Sequence, residues 1–508
     1  MLFNSYIFIL CFLPVTVIGY FLINKVINKN NGEGKVTADL WWLFLASVAF
    51  YGYANLLCTI LLLSSIAINY YVSIKINLCK EINKIKKTRL WLVGGISFNI
   101  ILLGYFKYSD FFIVNLNQLF QREYTVKNLI LPLGISFFTF KQIAYLADCY
   151  RKKVCYQWIE YAAYVMFFPQ LISGPIGLHD ELIPQLRDAA KKRINYENLS
   201  QGLYAIALGL GKKVLIADSL SKIVTVGYTN IEGLNGISAW MVMLSYTLQI
   251  YFDFSGYSDI ALGIERLLNL EPVINFNSPY KAKSVGEFWE RWHMSLTRFF
   301  TRYVYIPLGG SKKGKGKTYF NTILVFLLSG LWHGANWTFI LWGGLHGLVM
   351  VLEKGIKDAY DVIFKYTGRK INVSFIGKIL GTVYTFFFVN IAWILFRASS
   401  IQEARLFISR LFVKGREISP LILQRVNDLV EIRILSRLGL ESRIDRYPYV
   451  TCFVLMGILL FGVYFLKNTQ QKIYESKYGI WRSIITMFLI VWSVVSFSEV
   501  SEFLYFNF

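Results

Sequence analysis

The sequence predicts an all-α, polytopic integral membrane protein, and its composition is the first observation behind this prediction. Of its 508 residues, 55% are hydrophobic and only 17% are charged, whereas soluble domains carry about 25% charged residues. The second observation is a series of apolar runs, several of them close to the roughly 20 residues with which a helix crosses a bilayer. The runs lie at 5–23, 39–54, 56–74, 90–106, 129–147, 160–177, 203–217, 237–252, 319–333, 336–352, 376–396, 449–466 and 481–498. We expect about 10 to 12 transmembrane helices, with re-entrant and interfacial helices among the shorter runs.

The apolar runs recur along the whole chain and predict a single membrane-embedded domain over 1–508. The first run, 5–23, is expected to stay in place as an anchor, because it lacks the charged start and the small-residue cleavage site of a signal peptide. The six cysteines are scattered and form no C-x-x-C pair, so we expect neither a disulfide framework nor a metal site.

The basic residues are distributed as membrane topology requires. The net charge is +22, with Lys and Arg clustered between apolar runs at 75–89, 151–153, 187–193, 281–317 and 397–446. This pattern indicates the positive-inside bias and contact with anionic lipid headgroups, and not nucleic-acid binding. With 25–35 and 75–89 in the cytosol, the N-terminus and the uncharged turn at 52–55 face outward. The stretch 397–448 is expected to lie along the interface as amphipathic helices.

A glycine-rich loop at 309–318, GGSKKGKGKT, invites comparison with a phosphate-binding P-loop. The final Gly-Lys-Thr is present, but Ser311 occupies the position of the first glycine, and no hydrophobic strand precedes the loop. We therefore interpret the segment as a flexible, basic turn on the cytosolic side.

The stretch 318–352 contains no Asp, Glu, Lys or Arg, yet it holds two of the four histidines, His333 and His346. It is long enough to cross a bilayer once, or twice as two segments hinged at 334–336. Placing an ionisable side chain within the bilayer costs free energy, so such residues are interpreted first as functional sites. Burial disfavours imidazolium, so His333 is expected to be a neutral general base. The alternative is interhelical hydrogen bonding, which we favour for His346.

A second block of unusual residues runs from 251 to 310. Asp253 and Asp259 lie in an otherwise apolar stretch, where carboxylates must be paired, hydrogen-bonded or hydrated. They either pair with nearby arginines and fix helix packing or, together with Arg291 and His293, surround one polar cavity. The segment 284–297 resembles an interfacial helix, with tryptophans at headgroup depth and charges facing water.

Several long motifs between about 130 and 400 carry a resemblance to a known family. They are LPLGISFFTF (131–140), FFPQLISGPI (167–176), DFSGYSDIALGI (253–264), NFNSPY (275–280), EFWERWHMSL (287–296), YIPLGG (305–310) and GLWHGANWTFILWGGLHG (330–347), with FLYFNF (503–508) at the end. The chain resembles the membrane-bound O-acyltransferase superfamily, and most closely its bacterial alginate and peptidoglycan O-acetyltransferase branch. It departs from the family pattern at Thr301-Arg302-Tyr303, where relatives usually have Arg-Asp before the tyrosine, and at Gly177-Leu178-His179, where a basic residue is common.

The resemblance implies a tunnel through the membrane with His333 midway and His293 as a second catalytic histidine. An activated acyl donor would approach from the cytosol, and the acceptor hydroxyl from outside. The candidate substrate-binding residues are Trp332, Asn336, Asp253, Asp259, Arg291 and Asn275. No serine or cysteine nucleophile motif stands out, so direct transfer is preferred to a covalent enzyme intermediate.

The implied function is O-acetyl transfer in the cytoplasmic membrane of a bacterium. No bound cofactor or metal is expected, and the donor is acetyl-CoA or another acetyl thioester. The acceptor is an extracytoplasmic polysaccharide (an exopolysaccharide or peptidoglycan) or an extracytoplasmic acyl-transfer partner protein. Two alternatives stay open: D-alanyl transfer toward teichoic acid, and a polysaccharide or proton-coupled transporter, although transporters commonly show paired halves that this chain lacks.

Overall fold

The computed structural model describes residues 1–26, 38–367, 375–415, 417–427, 432, 448–475, 479–497 and 504. The regular secondary structure of this part of the chain is helical and contains no strand, so the all-α prediction is confirmed. The first twelve helices are α1 Leu13–Val26, α2 Ala38–Gly52, α3 Leu56–Glu81, α4 Ile85–Leu103, α5 Ser109–Phe120, α6 Ile135–Arg151, α7 Trp158–Met166, α8 Phe168–Leu171, α9 His179–Arg187, α10 Tyr196–Leu210, α11 Asp218–Thr229 and α12 Gly236–Leu267.

The remaining helices carry most of the motifs. They are α13 Val285–Arg291, α14 Met294–Phe300, α15 Lys315–His333, α16 Trp337–Thr367, α17 Phe375–Arg397, α18 Ile401–Arg410, α19 Pro420–Asn427, α20 Pro448–Phe465, α21 Thr469–Glu475 and α22 Ile480–Val495. Wider π-helical turns at Phe8–Phe12, Gly104–Tyr108, Gly211–Ala217 and Thr301–Tyr305 adjoin α1, α4, α10 and α14, respectively.

Five helical segments are long and apolar enough to cross a membrane. They are Phe8–Val26, Leu56–Glu81, Ile85–Phe120, Trp337–Thr367 and Phe375–Arg397. The pair Val450–Phe465 and Thr469–Glu475, bent by 54°, forms a sixth if the two helices make one broken span. The chain is thus a multi-pass membrane protein, as predicted.

The five or six candidate spans among the described residues are fewer than the 10 to 12 expected, and the higher number stays a prediction. Two runs form the short apolar helices Ala38–Gly52 and Ile480–Val495. Others fold into short helices or carry buried charges, such as Lys141 in α6 and Lys213 after α10. A buried polar side chain needs a partner inside the protein, so these runs pack in the interior of the helix assembly.

Close backbone contacts join the helices around the site. A Cβ atom added at Gly330 of α15 would lie 2.2 Å from the Phe339 carbonyl oxygen of α16, and one added at Gly343 would lie 2.2 Å from the Phe326 carbonyl oxygen. Glycines that let backbones approach in this way are typical of membrane helix pairs. α15 and α16 therefore form one tightly packed unit.

Some predicted features lie wholly or partly outside the described residues. This holds for most of the basic loop 25–35, for 428–431 and 433–447 of the stretch 397–448, and for the motif 503–508 apart from Leu504. The described part of 397–448 contains α18 and α19, each with a buried apolar face: Ala404 and Phe407 in α18, and Ile422 and Val426 in α19.

Candidate active site

His333 is the last residue of α15 and is buried, with 2% of its surface exposed. The helix ends there because Gly334 is extended, with φ of −164° and ψ of 153°. α16 begins at Trp337, after three connecting residues. The charge-free stretch thus forms two helices joined at 334–336, one of the two arrangements that the sequence left open, and His333 lies at the joint.

Aromatic rings enclose His333. Its ring centroid lies 4.8 Å from that of Trp332 and 5.2 Å from those of Trp342 and Phe396. The fourth ring is the imidazole of His293, at 6.4 Å. Trp332 and His293 were predicted from the sequence, whereas Trp342 and Phe396 were not. Trp342 belongs to the motif 330–347 and follows the hinge, which is the signal that could have identified it.

His293 lies between α13 and α14 in the left-handed region, with φ of 46°, a conformation in which histidine is one of the more tolerated residues. Its side chain is fully buried, and Phe254 packs edge-on at 4.7 Å. Burial lowers the pKa of His293 to about 3, because an apolar environment disfavours the charged ring. The imidazole is therefore neutral at physiological pH.

Asn275 fixes the orientation of His293. Its Oδ1 lies 3.1 Å from Nδ1 of His293 and accepts hydrogen bonds from Ser295 N at 3.3 Å and Ser295 Oγ at 2.8 Å. Because this oxygen accepts, Nδ1 of His293 carries the hydrogen, and in the neutral ring the lone pair lies on Nε2. Asn275, predicted to bind substrate, is thus a partner of the second histidine.

His346 has a contact that fits helix packing. Its Nδ1 accepts a hydrogen bond of 3.1 Å from Nε1 of Trp289, which links α16 to α13. This is the interhelical hydrogen bond that we favoured for His346, and the side chain is fully buried.

Asp253 and Asp259 are paired with lysines and not with the arginines considered from the sequence. Lys213 Nζ lies 2.7 Å from Asp253 Oδ1, and the two side chains are 1% and 3% exposed. Lys212 Nζ lies 2.6 Å from Asp259 Oδ2, which also accepts from Thr469 Oγ1 at 2.6 Å. Adjacent lysines in the π-helical turn after α10 thus neutralise two carboxylates of α12.

The four polar residues expected around one cavity have separate surroundings. A cavity of about 20 Å³, the size of one water molecule, is lined by Asp259 and Asn275 but not by Asp253, Arg291 or His293. Arg291 is partly exposed and pairs with Glu287 of its own helix at 2.8 Å. Only His293 of the four contacts His333 directly. Polar residues in one sequence block can face different neighbours, which the sequence pattern does not reveal.

Two further predicted residues border the hinge. The indole of Trp332 stacks on Phe140, with ring centroids 5.3 Å apart, and also packs edge-on against His333 at 4.8 Å. Asn336 begins α16: its Oδ1 accepts from Thr338 N at 3.0 Å, and its Nδ2 donates to the Ser399 carbonyl at 2.7 Å. Asn336 therefore stabilises the hinge through its own hydrogen bonds.

A large cavity of about 1040 Å³ opens between α13–α14 and α15–α16. Phe326 and Ser329 are among its lining residues, and Ser329 precedes His333 by one helical turn on the same helix face. The charged residues that line it are Lys283, Glu287, Glu290, Glu353, Lys354, Lys357, Asp358 and Asp361. Its charged part adjoins the basic loop, since Lys315 pairs with Asp358 at 3.5 Å. The cavity thus opens on the side that the sequence assigns to the cytosol.

The two departures from the family pattern meet at Asp148. Arg302 donates to Asp148 Oδ2 at 2.5 Å and to Asp180 at 2.9 Å. His179 Nε2 lies 3.2 Å from the same Asp148 oxygen, and the Tyr303 hydroxyl donates to it at 2.8 Å. The unusual Arg302 and His179 are therefore explained by a shared buried carboxylate that joins α6, α9 and the turn after α14.

The arrangement suits proton transfer by imidazole. Within the residues that the structure describes, no three His, Cys, Asp or Glu side chains come together as a metal-binding group. Of the two enclosed histidines, His333 lies at the end of a helix whose preceding turn borders a cavity large enough for an organic substrate, and His293 packs beside it. A positioned imidazole can accept a hydroxyl proton near neutral pH.

The chain matches the model of MBOAT, the membrane-bound O-acyltransferase family, over residues 3–394, and it belongs to that family. It is 39% identical to the peptidoglycan O-acetyltransferase of Helicobacter pylori, over 100% of this chain and 98% of that relative. It is 34% identical to the probable alginate O-acetylase AlgI of Pseudomonas aeruginosa, over 80% and 73%, respectively. It is 28% identical to the teichoic acid D-alanyltransferase of Bacillus subtilis, over 45% of this chain and 60% of that relative.

These comparisons confirm that the protein is a membrane-bound O-acyltransferase and that the resemblance noted in the sequence is correct. They favour the acetyl-transferring branch, because the match to the acetyltransferases extends over far more of the chain than the match to the D-alanyltransferase. They do not support the transporter alternative.

Proposed function

We propose that this protein transfers acetyl groups from a cytosolic acetyl thioester, such as acetyl-CoA, to hydroxyls of an extracytoplasmic polysaccharide. Relatives named for acetylation of peptidoglycan and alginate support acetyl transfer and this class of acceptor. Within that class we favour peptidoglycan, because the H. pylori relative aligns over nearly its entire length. The protein would act in the bacterial cytoplasmic membrane among lipids, either directly on the polymer or through an extracytoplasmic acyl-transfer partner protein.

One observation carries the proposal: His333 is buried at the joint of α15 and α16, one helical turn beyond Ser329, which lines the large cavity. A donor that enters from the charged side of the cavity would bring its thioester toward this imidazole. The mixed apolar and charged lining fits a thioester with a polar headgroup and an apolar arm. The acceptor would reach the same imidazole from the hinge side.

In the proposed reaction, His333 accepts the proton of the acceptor hydroxyl as the hydroxyl oxygen attacks the thioester carbonyl carbon. A new C–O ester bond forms and the C–S bond breaks. The imidazolium then returns its proton to the departing thiolate, so that no net proton is released. A general base of this kind contributes about 10²–10⁴-fold to the rate. His293, held by Asn275, would orient the reacting groups next to His333.

The test compares cells that carry the wild-type protein or His333→Ala, with His179→Ala as the control. His179 is another buried histidine, but it belongs to the Asp148 group. Polymer-bound acetate, total polymer and the membrane level of each variant are measured together. We expect His333→Ala to lower acetylation about 10²–10⁴-fold at a normal membrane level, and His179→Ala to retain acetylation in proportion to its level. Normal acetylation by a stable His333→Ala protein would contradict the proposal.

A further inference from the structure

The C-terminal end of α15 is buried, and every one of its last four carbonyl groups has a partner. Such carbonyls have no partner within their own helix, and leaving them unpaired away from water costs free energy. The Gly330 carbonyl accepts from Gly334 N at 3.4 Å. The other three, of Leu331, Trp332 and His333, accept from side chains of one distant segment.

That segment is the π-helical turn Gly104–Tyr108, which follows α4. The Tyr108 hydroxyl donates to the Leu331 carbonyl at 2.6 Å. Lys107 Nζ donates to the Trp332 carbonyl at 2.6 Å and to the His333 carbonyl at 3.1 Å. Turns of this type often occur at functional sites. Two consecutive side chains thus hold the three residues at the end of α15.

The amine of Lys107 is fully engaged at this point. Its third acceptor is Ser136 Oγ at 3.3 Å, so three N–H donors meet three acceptors, as an ammonium group requires. The negative end of the α15 dipole favours a cation at this position. Lys107 also lies over the Trp332 ring at 5.9 Å, within cation–π range. These contacts therefore hold the amine at this helix end.

We infer that Lys107 and Tyr108 are positioning residues, which set the orientation of His333 for acyl transfer by fixing the end of α15. The inference rests on the proposed function and adds two residues to it. Both side chains donate hydrogen bonds to the backbone of 331–333, and we infer that they position the His333 ring through it. A misplacement of a catalytic group by about 1 Å can lower the rate about 10²-fold.

The chain contains a matched control for a purely structural role. Lys80, in the last turn of α3, donates to the Cys149 carbonyl at 3.4 Å and to the Tyr150 carbonyl at 3.0 Å. It therefore stabilises the C-terminal end of α6 in the same way in which Lys107 stabilises α15. Removing either lysine deletes one cation from a helix end, but only the loss of Lys107 affects the helix that carries His333.

The experiment uses membrane vesicles with endogenous polymer and radiolabelled acetyl-CoA as the probe. Initial rates are measured against acetyl-CoA concentration for the wild type, Lys107→Met, Lys107→Arg, Lys80→Met and Tyr108→Phe, each normalised to folded protein. We expect Lys107→Met to lower the maximal rate about 10²-fold without changing the half-saturating acetyl-CoA concentration. Lys107→Arg, which keeps a cation and N–H donors, should recover much of the rate, and Lys80→Met should retain it.

The outcomes separate this inference from the proposed function. Acetyl transfer by the wild type that is lost in His333→Ala establishes the activity. If the wild type itself shows no acetyl transfer, the proposed function is refuted. If the activity is present and Lys107→Met is as active per folded molecule as Lys80→Met, the positioning role is refuted. Should Lys107→Met fail to accumulate, Tyr108→Phe decides: it removes one hydroxyl, and an unchanged maximal rate would overturn the inference.

Discussion

The imidazole rings of His293 and His333 lie 6.4 Å apart, centroid to centroid, although 40 residues separate them in the chain. Each belongs to a different local structure: His333 ends α15, whereas His293 lies between α13 and α14 in a left-handed conformation. Asn275 holds the ring of His293 through a hydrogen bond to Nδ1 of that histidine. The pair therefore depends on two separate supports, the α15 end and the Asn275 side chain.

The first prediction concerns the support of His293. Asn275→Leu should lower acetyl transfer about 10²-fold, because His293 loses the hydrogen bond that sets its ring orientation. Polymer-bound acetate per membrane-inserted protein is the measurement. The control is Asn99→Leu, which removes another fully buried asparagine, one that donates to Asn69 at 2.6 Å between α3 and α4. Equal activity of the two variants per folded molecule would exclude a functional role for Asn275.

The second prediction tests the large cavity as the donor entrance. Ser329→Phe should narrow it and raise the half-saturating concentration of acetyl-CoA about 5- to 150-fold, since overpacking costs about 1–3 kcal/mol. Rates are measured in membrane vesicles against acetyl-CoA concentration. Ser64→Phe, the same change on the exposed face of α3, is the control. An unchanged half-saturating concentration in Ser329→Phe would place the donor path elsewhere.

The sequence predicted the helix pair around His333 well, for a physical reason. A charge-free stretch of 35 residues is longer than one crossing needs, and the Gly-Ala-Asn sequence at 334–336 marks a possible break. Both features involve residues that are neighbours in the chain, so they can be recognised from the sequence alone. The choice of His333 over His346 came from the same stretch together with the family motif, and it stays a prediction until the variants are measured.

Contacts between distant segments could not be predicted in this way. Lys107 contacts the backbone of His333 across 226 residues of chain, and nothing in an apolar run indicates which neighbour its single lysine will face. The partners of Asp253 and Asp259 were also missed, because Lys212 and Lys213 lie in another helical segment. The number of spans is hard to derive from sequence for a related reason: an apolar helix in the protein interior and one facing lipid have similar sequences.

The third prediction separates stability from function at Asp253. Asp253→Ala should lower the thermal stability and the membrane level of the protein, because it leaves Lys213 buried without one of its two carboxylate partners, the other being Asp218. Breaking a buried ion pair costs about 3–5 kcal/mol. Thermal unfolding in detergent is the measurement.

The double variant Lys213→Met with Asp253→Leu provides the matched comparison. Replacing both partners of a buried pair by apolar residues is often neutral or stabilising, so stability and acetyl transfer per folded molecule should both recover. A double variant that is stable but inactive would instead return Asp253 to the list of substrate-binding residues predicted from the sequence.

The last prediction concerns orientation, on which the direction of transfer depends. Loops rich in Lys and Arg face the cytosol, so Ser311, next to Lys312 and Lys313, should be cytosolic, and Tyr53, in the uncharged turn before α3, should be outside. In a variant without native cysteines, Tyr53→Cys should react with a membrane-impermeant maleimide in intact spheroplasts. Ser311→Cys should react only after permeabilisation.

Because Ser311 hydrogen-bonds at 2.7 Å to Tyr305, which lines the large cavity, the same labelling reports the side on which that cavity opens. Labelling of Ser311→Cys from outside would reverse the assigned orientation and place the cavity on the acceptor side.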